Sequence, residues 1–468
     1  MEVRFSDGTR EQYNDQPFAQ GGQGAIYRSR DGQHALKLFK PEHSTTDRSN
    51  QLDAIIGQYN VVNNSPYWDE LFTWPQKRAV SPGMGVSTRF VTDLTRLDYY
   101  FFDYQRLSPE KKGWWIGRVA VAIKLARAVD RLSTKGLCHS DLSDKNVMLD
   151  PFDGRLVLLD CDSLVVPGVL PAQVVGTPEY MAPELVSRRE KDPTVVTDRH
   201  ALAVILYRWL LFVQHPLIGP KRHSADPHQD DELALGERAL YIEHPTDTSN
   251  RPKNLQLTTD IFPPRLRELF RQVFVDALHS SQKRPLPGMW DDALVELFDH
   301  VIPCANTSGC EMRFFPAPEM GPLRCPLCKT YVDFPDAVPY IKLRSPRLLG
   351  GTYQYEDEGR FPRYVVGWPD RPLYLWHTDP SIKAAPGPLG QPPDARPCGL
   401  IRYDAAQRVW YLDNLSLPQL QVAVDTSVGQ TWAPVPVGTR VPLANNGRLL
   451  FGPLNQARMA FIEMRRVQ

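Results

Sequence analysis

Apolar positions along this chain follow two rhythms, and the change falls near residue 345. In the first part, Ile116, Val119, Ala120, Ile123, Leu125 and Leu132 recur at helical spacing, so Trp114 to Leu132 predicts a long amphipathic helix. The run Ala201 to Val213 is almost wholly apolar, although it contains Arg208, and reads as a central core helix. A further helical stretch covers Arg48 to Tyr59. Short apolar runs at His34 to Phe39, Met84 to Val91 and Leu156 to Leu159 predict strands between polar or glycine-rich turns. Beyond residue 345 the runs become short and alternating: Arg363 to Gly367, Leu373 to His377, Gly399 to Tyr403, Trp410 to Asn414, Gln421 to Val424, Arg440 to Leu443 and Arg448 to Gly452. Asn445-Asn446-Gly447 supplies a turn between the last two, and such regularly spaced strands predict a β-sandwich.

Composition narrows the class. A chain of 468 residues has room for two or three domains, each with its own core. Its 54 basic residues balance 54 acidic ones, so the overall charge points to neither nucleic acid nor a membrane surface. Met1 to Asp7 has no basic segment followed by an apolar one, so no signal peptide is expected. Ala201 to Val213 is shorter than the ~20 residues of a membrane span. The expectation is a soluble, cytoplasmic protein. Of seven cysteines, four lie between 304 and 328, while Cys138, Cys161 and Cys398 stand apart, which argues for a metal site rather than a disulfide framework. The 43 prolines exceed the usual ~5% and thicken towards the C-terminal half, where they suit loops and linkers.

The chemistry concentrates in His139-Ser140-Asp141-Leu142-Ser143-Asp144-Lys145-Asn146. This polar loop holds a carboxylate and a carboxamide just ahead of the strand that runs into Asp160-Cys161-Asp162. Phosphoryl transfer needs such parts: a carboxylate to orient a hydroxyl, and an amide oxygen with a second carboxylate to hold magnesium. Upstream, Phe18 to Tyr27 reads as strand, glycine turn and strand, and Gly21, Gly22 and Gly24 let backbone N–H groups approach phosphate. His34 to Phe39 follows with one inward lysine, Lys37. In this order the parts resemble those of eukaryotic-like protein kinases. The resemblance implies that Gly21, Gly22, Gly24, Ile26 and Lys37 bind ATP, with Ala19 in place of the first glycine of the family motif. It places Val91 to Asp93 near the adenine, Asp141 as catalytic base beside the catalytic Lys37, and Asn146 and Asp160 as magnesium (or manganese) ligands. Gly176-Thr-Pro-Glu-Tyr-Met-Ala-Pro-Glu184 resembles the substrate-binding loop of serine/threonine kinases. There the resemblance implies a Thr177 bridge to Asp141 and a structural pair between Glu184 and Arg284. Asp198 takes the place of the aspartate that ties down the catalytic loop.

Several positions depart from the kinase pattern. The helical stretch from Arg48 offers only Asp53 as a carboxylate partner for Lys37. Ser140 replaces an arginine that clamps a phosphorylated activation loop, and Ser143 replaces a lysine that meets the γ-phosphate, with Lys145 nearby as a substitute. Asp162 stands where kinases have glycine and reads as a turn residue, with a third metal-proximal carboxylate as the alternative. Ser163 and Thr177 are candidate phosphorylation sites, read here as structural. These departures keep a second reading open: a pseudokinase scaffold that acts through protein contacts.

Cys304, Cys310, Cys325 and Cys328 form two pairs separated by fourteen residues, and the second pair is the tight turn that sets two thiolates on one metal. Their spacing resembles a zinc ribbon with a closed, structural zinc site; a redox pair is the other reading. In the tail, Trp410 to Asn414, Gly438 to Leu443 and Gly447 to Gly452 resemble segments of forkhead-associated (FHA) domains, which bind phosphothreonine peptides. The first reading is a sandwich used for protein contacts; on the alternative of phosphopeptide binding, Arg402, Asn414 and Arg448 are candidate ligand contacts. The whole order, with Glu243 to Pro252 as a further shared segment, resembles bacterial kinases of the TerY-phosphorylation triad. The fold class expected is therefore multidomain α+β. A bilobal kinase-like domain at 1–298 divides near residue 93, a zinc ribbon occupies 299–340, and an FHA-like all-β sandwich occupies 345–468. The resemblance implies a serine/threonine kinase with ATP, magnesium and structural zinc. Its implied partners are a von Willebrand factor A-type (TerY-like) substrate and a PPM-type phosphatase.

Overall fold

The first lobe is a seven-stranded antiparallel sheet in the order β2-β1-β6-β7-β5-β4-β3. Its strands are β1 (Glu2–Phe5), β2 (Arg10–Gln12), β3 (Ala19–Gln20), β4 (Gly24–Arg28), β5 (His34–Phe39), β6 (Lys77–Ser81) and β7 (Gly85–Arg89). The glycine hairpin joins β3 to β4, and β4 pairs with β5 so that Ile26 faces Lys37 across the ladder. Gly24 is required there, because a Cβ would lie 2.1 Å from the Leu38 carbonyl oxygen. Helix α1 (Thr46–Ile56) starts at Thr45, whose hydroxyl accepts from Arg48 N at 3.2 Å, and ends at Gly57. Its buried positions, Arg48, Gln51, Leu52 and Ile55, share one face. Leu52 packs on Phe39 and Val86 beneath the sheet. In this computed structural model the described residues are 1–103, 106–166, 168–170, 172, 176–212, 214–221, 224, 226–319, 321–333, 337–385, 396–426 and 429–466.

The second lobe is helical. After α2 (Pro66–Leu71), α3 (Leu97–Phe102) and α4 (Pro109–Lys112) comes α5 (Trp115–Ser133), the helix that the apolar spacing predicts. Gly117 lets α5 approach the loop at Pro151, where a Cβ would lie 1.6 Å from the Pro151 carbonyl oxygen. A small sheet, in the order β10-β9-β8, flanks the catalytic loop; β8 is Thr95–Arg96, β9 Val147–Asp150 and β10 Arg155–Leu158. Then come α6 (Pro183–Val186), α7 (Val195–Leu210), α8 (Pro227–Leu235), α9 (Pro264–Arg271) and α10 (Pro287–His300). Indole N–H groups lock α5 to α7: Trp115 donates to Leu210 O at 3.2 Å and Trp209 to Arg118 O at 2.8 Å. Truncating a buried tryptophan such as these costs about 3–5 kcal/mol.

The cysteine region is a two-stranded ladder, β11 (Val301–Pro303) with β12 (Phe314–Pro316), followed by the Cys325–Cys328 turn. It sits against the start of α5, where Trp115 N donates to Met312 O at 3.0 Å and Trp114 packs on Phe314. The β-rich part begins at Ala337, ahead of the expected residue 345, with the long strand β13 (Ala337–Leu349). It continues through β14 (Thr352–Glu356), β15 (Arg363–Val366), β16 (Arg371–Leu373), β17 (Gly399–Asp404), β18 (Val409–Asn414), β19 (Gln421–Thr426), β20 (Gly429–Pro434), β21 (Arg440–Pro442), β22 (Arg448–Leu450) and β23 (Met459–Arg466). One sheet runs β14-β13-β23-β22-β19-β20 with β15 also on β13, and a second runs β16-β17-β18-β21. The expected strand Leu373 to His377 is corrected: β16 stops at Leu373 and a helical turn, α11 (Leu375–Thr378), takes over. His377 bends the chain there, since its Nδ1 accepts from Tyr374 N at 2.9 Å and its Nε2 meets Asp299 of α10 at 2.8 Å. Most of the proline-rich loop between 384 and 393 lies outside the described residues.

Asp299 binds this β-rich part to the helical lobe. Fully buried on α10, it is met by Arg363 at 2.9 Å, Arg371 at 3.6 Å and His377. One continuous apolar core runs from Ile55 in α1 through the cysteine region to Ile462 in β23.

Candidate active site

The catalytic loop is shaped before any ligand arrives. Ser140 adopts a positive φ of 64°, and Asp198 on α7 pins the backbone, accepting from His139 N at 2.6 Å and Ser140 N at 3.3 Å. The side chain of His139 packs inward with Nε2 2.8 Å from Leu159 O, so it serves the loop and not the cleft. Asp141 projects between two neighbours: Oδ2 accepts from Asn146 Nδ2 at 3.0 Å, and Oδ1 accepts from Thr177 Oγ1 at 2.8 Å. Asn146 Nδ2 also donates to Asp141 O at 2.8 Å, which leaves its Oδ1 as the end suited to a cation.

Lys37 reaches from β5 to the Asp160-Cys161-Asp162 turn. Its Nζ lies 2.7 Å from Asp160 Oδ1 and 3.1 Å from Asp162 Oδ2. Burial opposes the ammonium charge, but Asp162 and Asp160 outweigh it and hold the lysine pKa above its ordinary value. Asp160 sits in the left-handed region with φ 57° and is 30% exposed, whereas the Asp162 side chain is only 5% exposed. Asp160 is thus the carboxylate open to a metal.

The expected partner for Lys37 on α1 is corrected. Asp53 points away and forms a two-pronged pair with Arg78 on β6, at 2.7 and 2.9 Å. The buried face of α1 presents Arg48 instead, with Nη2 2.8 Å from Asp162 Oδ2 and 3.2 Å from Ser163 Oγ. Gln51 Nε2 donates to Leu164 O at 2.9 Å. Asp162 is therefore no mere turn residue: it joins Lys37 to α1. Two signals for this were present in the sequence. Arg48 and Gln51 share a helical face with Leu52 and Ile55, and D-C-D carries one more acid than a buried turn tolerates without another cation.

The remaining expected residues fall around this centre. Gly21 and Gly22 are exposed in the hairpin above the cleft, and Ile26 lines β4 opposite Lys37. Ser143 is buried, with no hydrogen-bond partner for its hydroxyl among the described residues, and Lys145 is exposed on the same turn. Arg284, fully buried, grips Glu184 with two bonds of 2.6 and 2.7 Å and anchors the substrate loop. In the β-rich part Asn414 is corrected as a ligand contact. It is buried, and its amide is spent on Leu417 and Val435. Arg402 is paired with Asp370 and Asp413, at 3.0 and 2.8 Å.

The four clustered cysteines converge. Their sulfurs all lie within 4.8 Å of one another, with Cys304 and Cys328 3.5 Å apart and Cys310 and Cys325 3.7 Å apart. Tetrahedral zinc, with Zn–S of about 2.3 Å, sets sulfurs about 3.8 Å apart, so this donor set fits the ion. Among the described residues, no helix is long and apolar enough to cross a membrane.

With the pinned loop, the lysine bridge and the Glu184–Arg284 anchor in place, the comparison with known proteins agrees. Residues 115–279 match the protein kinase domain. Serine/threonine-protein kinase PknD of Chlamydia muridarum is 28% identical over 152 residues, 27% of this chain and 16% of that protein. Serine/threonine-protein kinase Sgk1 of Danio rerio is 33% identical over 204 residues, 40% of this chain and 46% of that protein. Serine/threonine-protein kinase STE20 of Eremothecium gossypii is 37% identical over 126 residues, 26% of this chain and 11% of that protein. The chain thus spans less than half the length of each of these relatives. The kinase match covers the loop with Asp141, the D-C-D turn and the substrate loop, while the sheet that carries Lys37 precedes it.

Proposed function

We propose that this chain is an ATP- and magnesium- (or manganese-) dependent serine/threonine protein kinase that modifies a protein partner and itself. The observation that carries the reading is the setting of Asp141, one oxygen on Asn146 and the other on Thr177 of the substrate loop. Bound Mg-ATP supplies the transferable phosphoryl group. Asp141 orients the acceptor hydroxyl and takes its proton, Asn146 and Asp160 offer oxygens to the cation, and Lys37 carries positive charge towards the phosphates. The glycine hairpin at Gly21, Gly22 and Gly24, with Ile26 behind it, covers the nucleotide. Tightly clustered thiols support a structural zinc at Cys304, Cys310, Cys325 and Cys328. Antiparallel sheets beyond Ala337 support a docking domain of FHA-like type, and the motif order supports a cytoplasmic place in a TerY-type triad. Its partners there are a von Willebrand factor A-type substrate and a PPM-type phosphatase.

The test offers labelled ATP with a von Willebrand factor A-type protein or a generic basic protein. Wild type should label serine or threonine on the former and on itself, and Asp141→Asn and Asp160→Asn should lose this by about 100-fold or more. Nucleotide binding without transfer to any acceptor would instead favour the pseudokinase scaffold.

A further inference from the structure

Helix α1 meets the nucleotide cleft with a cation, where a kinase-like sequence leads one to expect a carboxylate. Four charges lie in one chain of contacts: Arg48 to Asp162 at 2.8 Å, Asp162 to Lys37 at 3.1 Å, and Lys37 to Asp160 at 2.7 Å. The two ends differ in access. Asp160 and Lys37 are 30% and 17% exposed, but Asp162 and Arg48 are 5% and 2% exposed. A metal can therefore claim Asp160, and it cannot reach Asp162 without breaking the buried end. Once Asp160 turns to a cation, Asp162 is the carboxylate left to Lys37.

Asp162 is a second buried acid beside Asp160, and such a group needs its own counter-charge. Arg48 supplies it, and other contacts fix Arg48 in turn. Its guanidinium lies 4.7 Å from the centre of the Phe39 ring, donates to Ser163 Oγ at 3.2 Å and meets Gln51 Oε1 at 3.4 Å. Phe39 stands two residues beyond Lys37 on β5, and the lysine Nζ lies 5.6 Å from the same ring. Helix, strand and metal-binding turn thus share one rigid contact set.

We infer that Arg48 is a positioning residue: by gripping Asp162 it holds the carboxylate that aims Lys37, so that Arg48–Asp162–Lys37 does, with reversed charge order, the work of a helix-borne acid. The inference rests on the kinase reading. It makes α1 a part of the site: a shift of that helix moves Asp162, and Lys37 with it. Ser163 is spent on the same grip and buried.

The test is steady-state phosphorylation by full-length wild type, Arg48→Met, Arg48→Lys, Asp162→Asn and the double variant Arg48→Met/Asp162→Asn. ATP is titrated at fixed magnesium, and each protein's thermal melt is recorded. Arg48→Met and Asp162→Asn should each raise KM for ATP about tenfold and lower kcat about 100-fold, the scale of an ångström-level misplacement. Arg48→Lys should keep activity within about tenfold of wild type, because a cation still reaches Asp162. The double variant should be no slower than either single one, as for residues that act as a unit. Unchanged kcat and KM in folded Arg48→Met, with only a lower melting temperature, would overturn the inference. So would losses that multiply in the double variant. Wild type that transfers no phosphate would instead sink the kinase reading, and the positioning role with it.

Discussion

Glu184 and Arg284 form an enclosed ion pair at the substrate loop, with the arginine side chain fully buried. Removing one partner strands a charge, which typically costs about 3–5 kcal/mol. Arg284→Met should therefore lower stability in urea by that order, and Arg284→Met/Glu184→Gln should recover part of the loss. A double variant as unstable as the single would contradict this account of the pair. This pair was legible through the resemblance of A-P-E and Lys-Arg-Pro to kinase motifs, which implies it. Asn414 was not. The alternating pattern around it shows a strand end, but only the turn at Leu417 and the Val435 carbonyl oxygen show that its amide is already spent.

At the scale of elements, α5 declared itself through periodicity, and the catalytic loop through its resemblance to the kinase motif within the order of kinase parts. Helix α1 did not, because half of its buried face is polar. Arg48 and Gln51 look like solvent positions until the D-C-D turn is placed against them. The turn at His377 was hidden for a related reason: its apolar neighbours alternate like a strand, and the bond to Asp299 comes from a helix 78 residues earlier. The cysteine element carries its own test. Purified protein should contain about one zinc per chain, as a closed four-thiolate site requires. Removing it with a strong chelator should lower the melting temperature and loosen the start of α5, since Met312 and Phe314 hold Trp115 and Trp114. Metal-free protein with an unchanged melt would contradict a structural zinc.

For the whole molecule, the change of pattern near residue 345 is real, yet it does not mark a break in packing. The core runs on through the cysteine region, and Asp299 ties α10 to Arg363, Arg371 and His377. Pattern reports local structure, so it could not show that these parts close on one another. Their junction has a pH signature. Burial, outweighing a hydrogen bond to Glu296 O, pulls the His300 pKa down to about 4. Burial also keeps His377 below the ordinary imidazole value despite Asp299. An unfolded histidine titrates near about 6.5, so below that pH the unfolded chain gains protons that the folded chain refuses. The His300 contribution to stability should be full above that pH and drain as pH falls towards about 4, by about 3 kcal/mol, while the buried Glu296 carboxyl, raised to about 7, works in the opposite direction. Urea melts of wild type and His300→Asn from pH 7 to 5 check the sign: wild type should lose stability relative to the variant on acidification, and a difference that stays constant or moves the other way would contradict it. The central claim is that Asp141 takes part in turnover and not merely in a nucleotide-binding shape. It is tested most directly by measuring Mg-ATP affinity and phosphate transfer on the same preparations of wild type and Asp141→Asn. The account expects affinities within about threefold and a transfer rate at least about 100-fold lower in the variant. Equal transfer by both proteins, or none by a wild type that binds ATP, would contradict it.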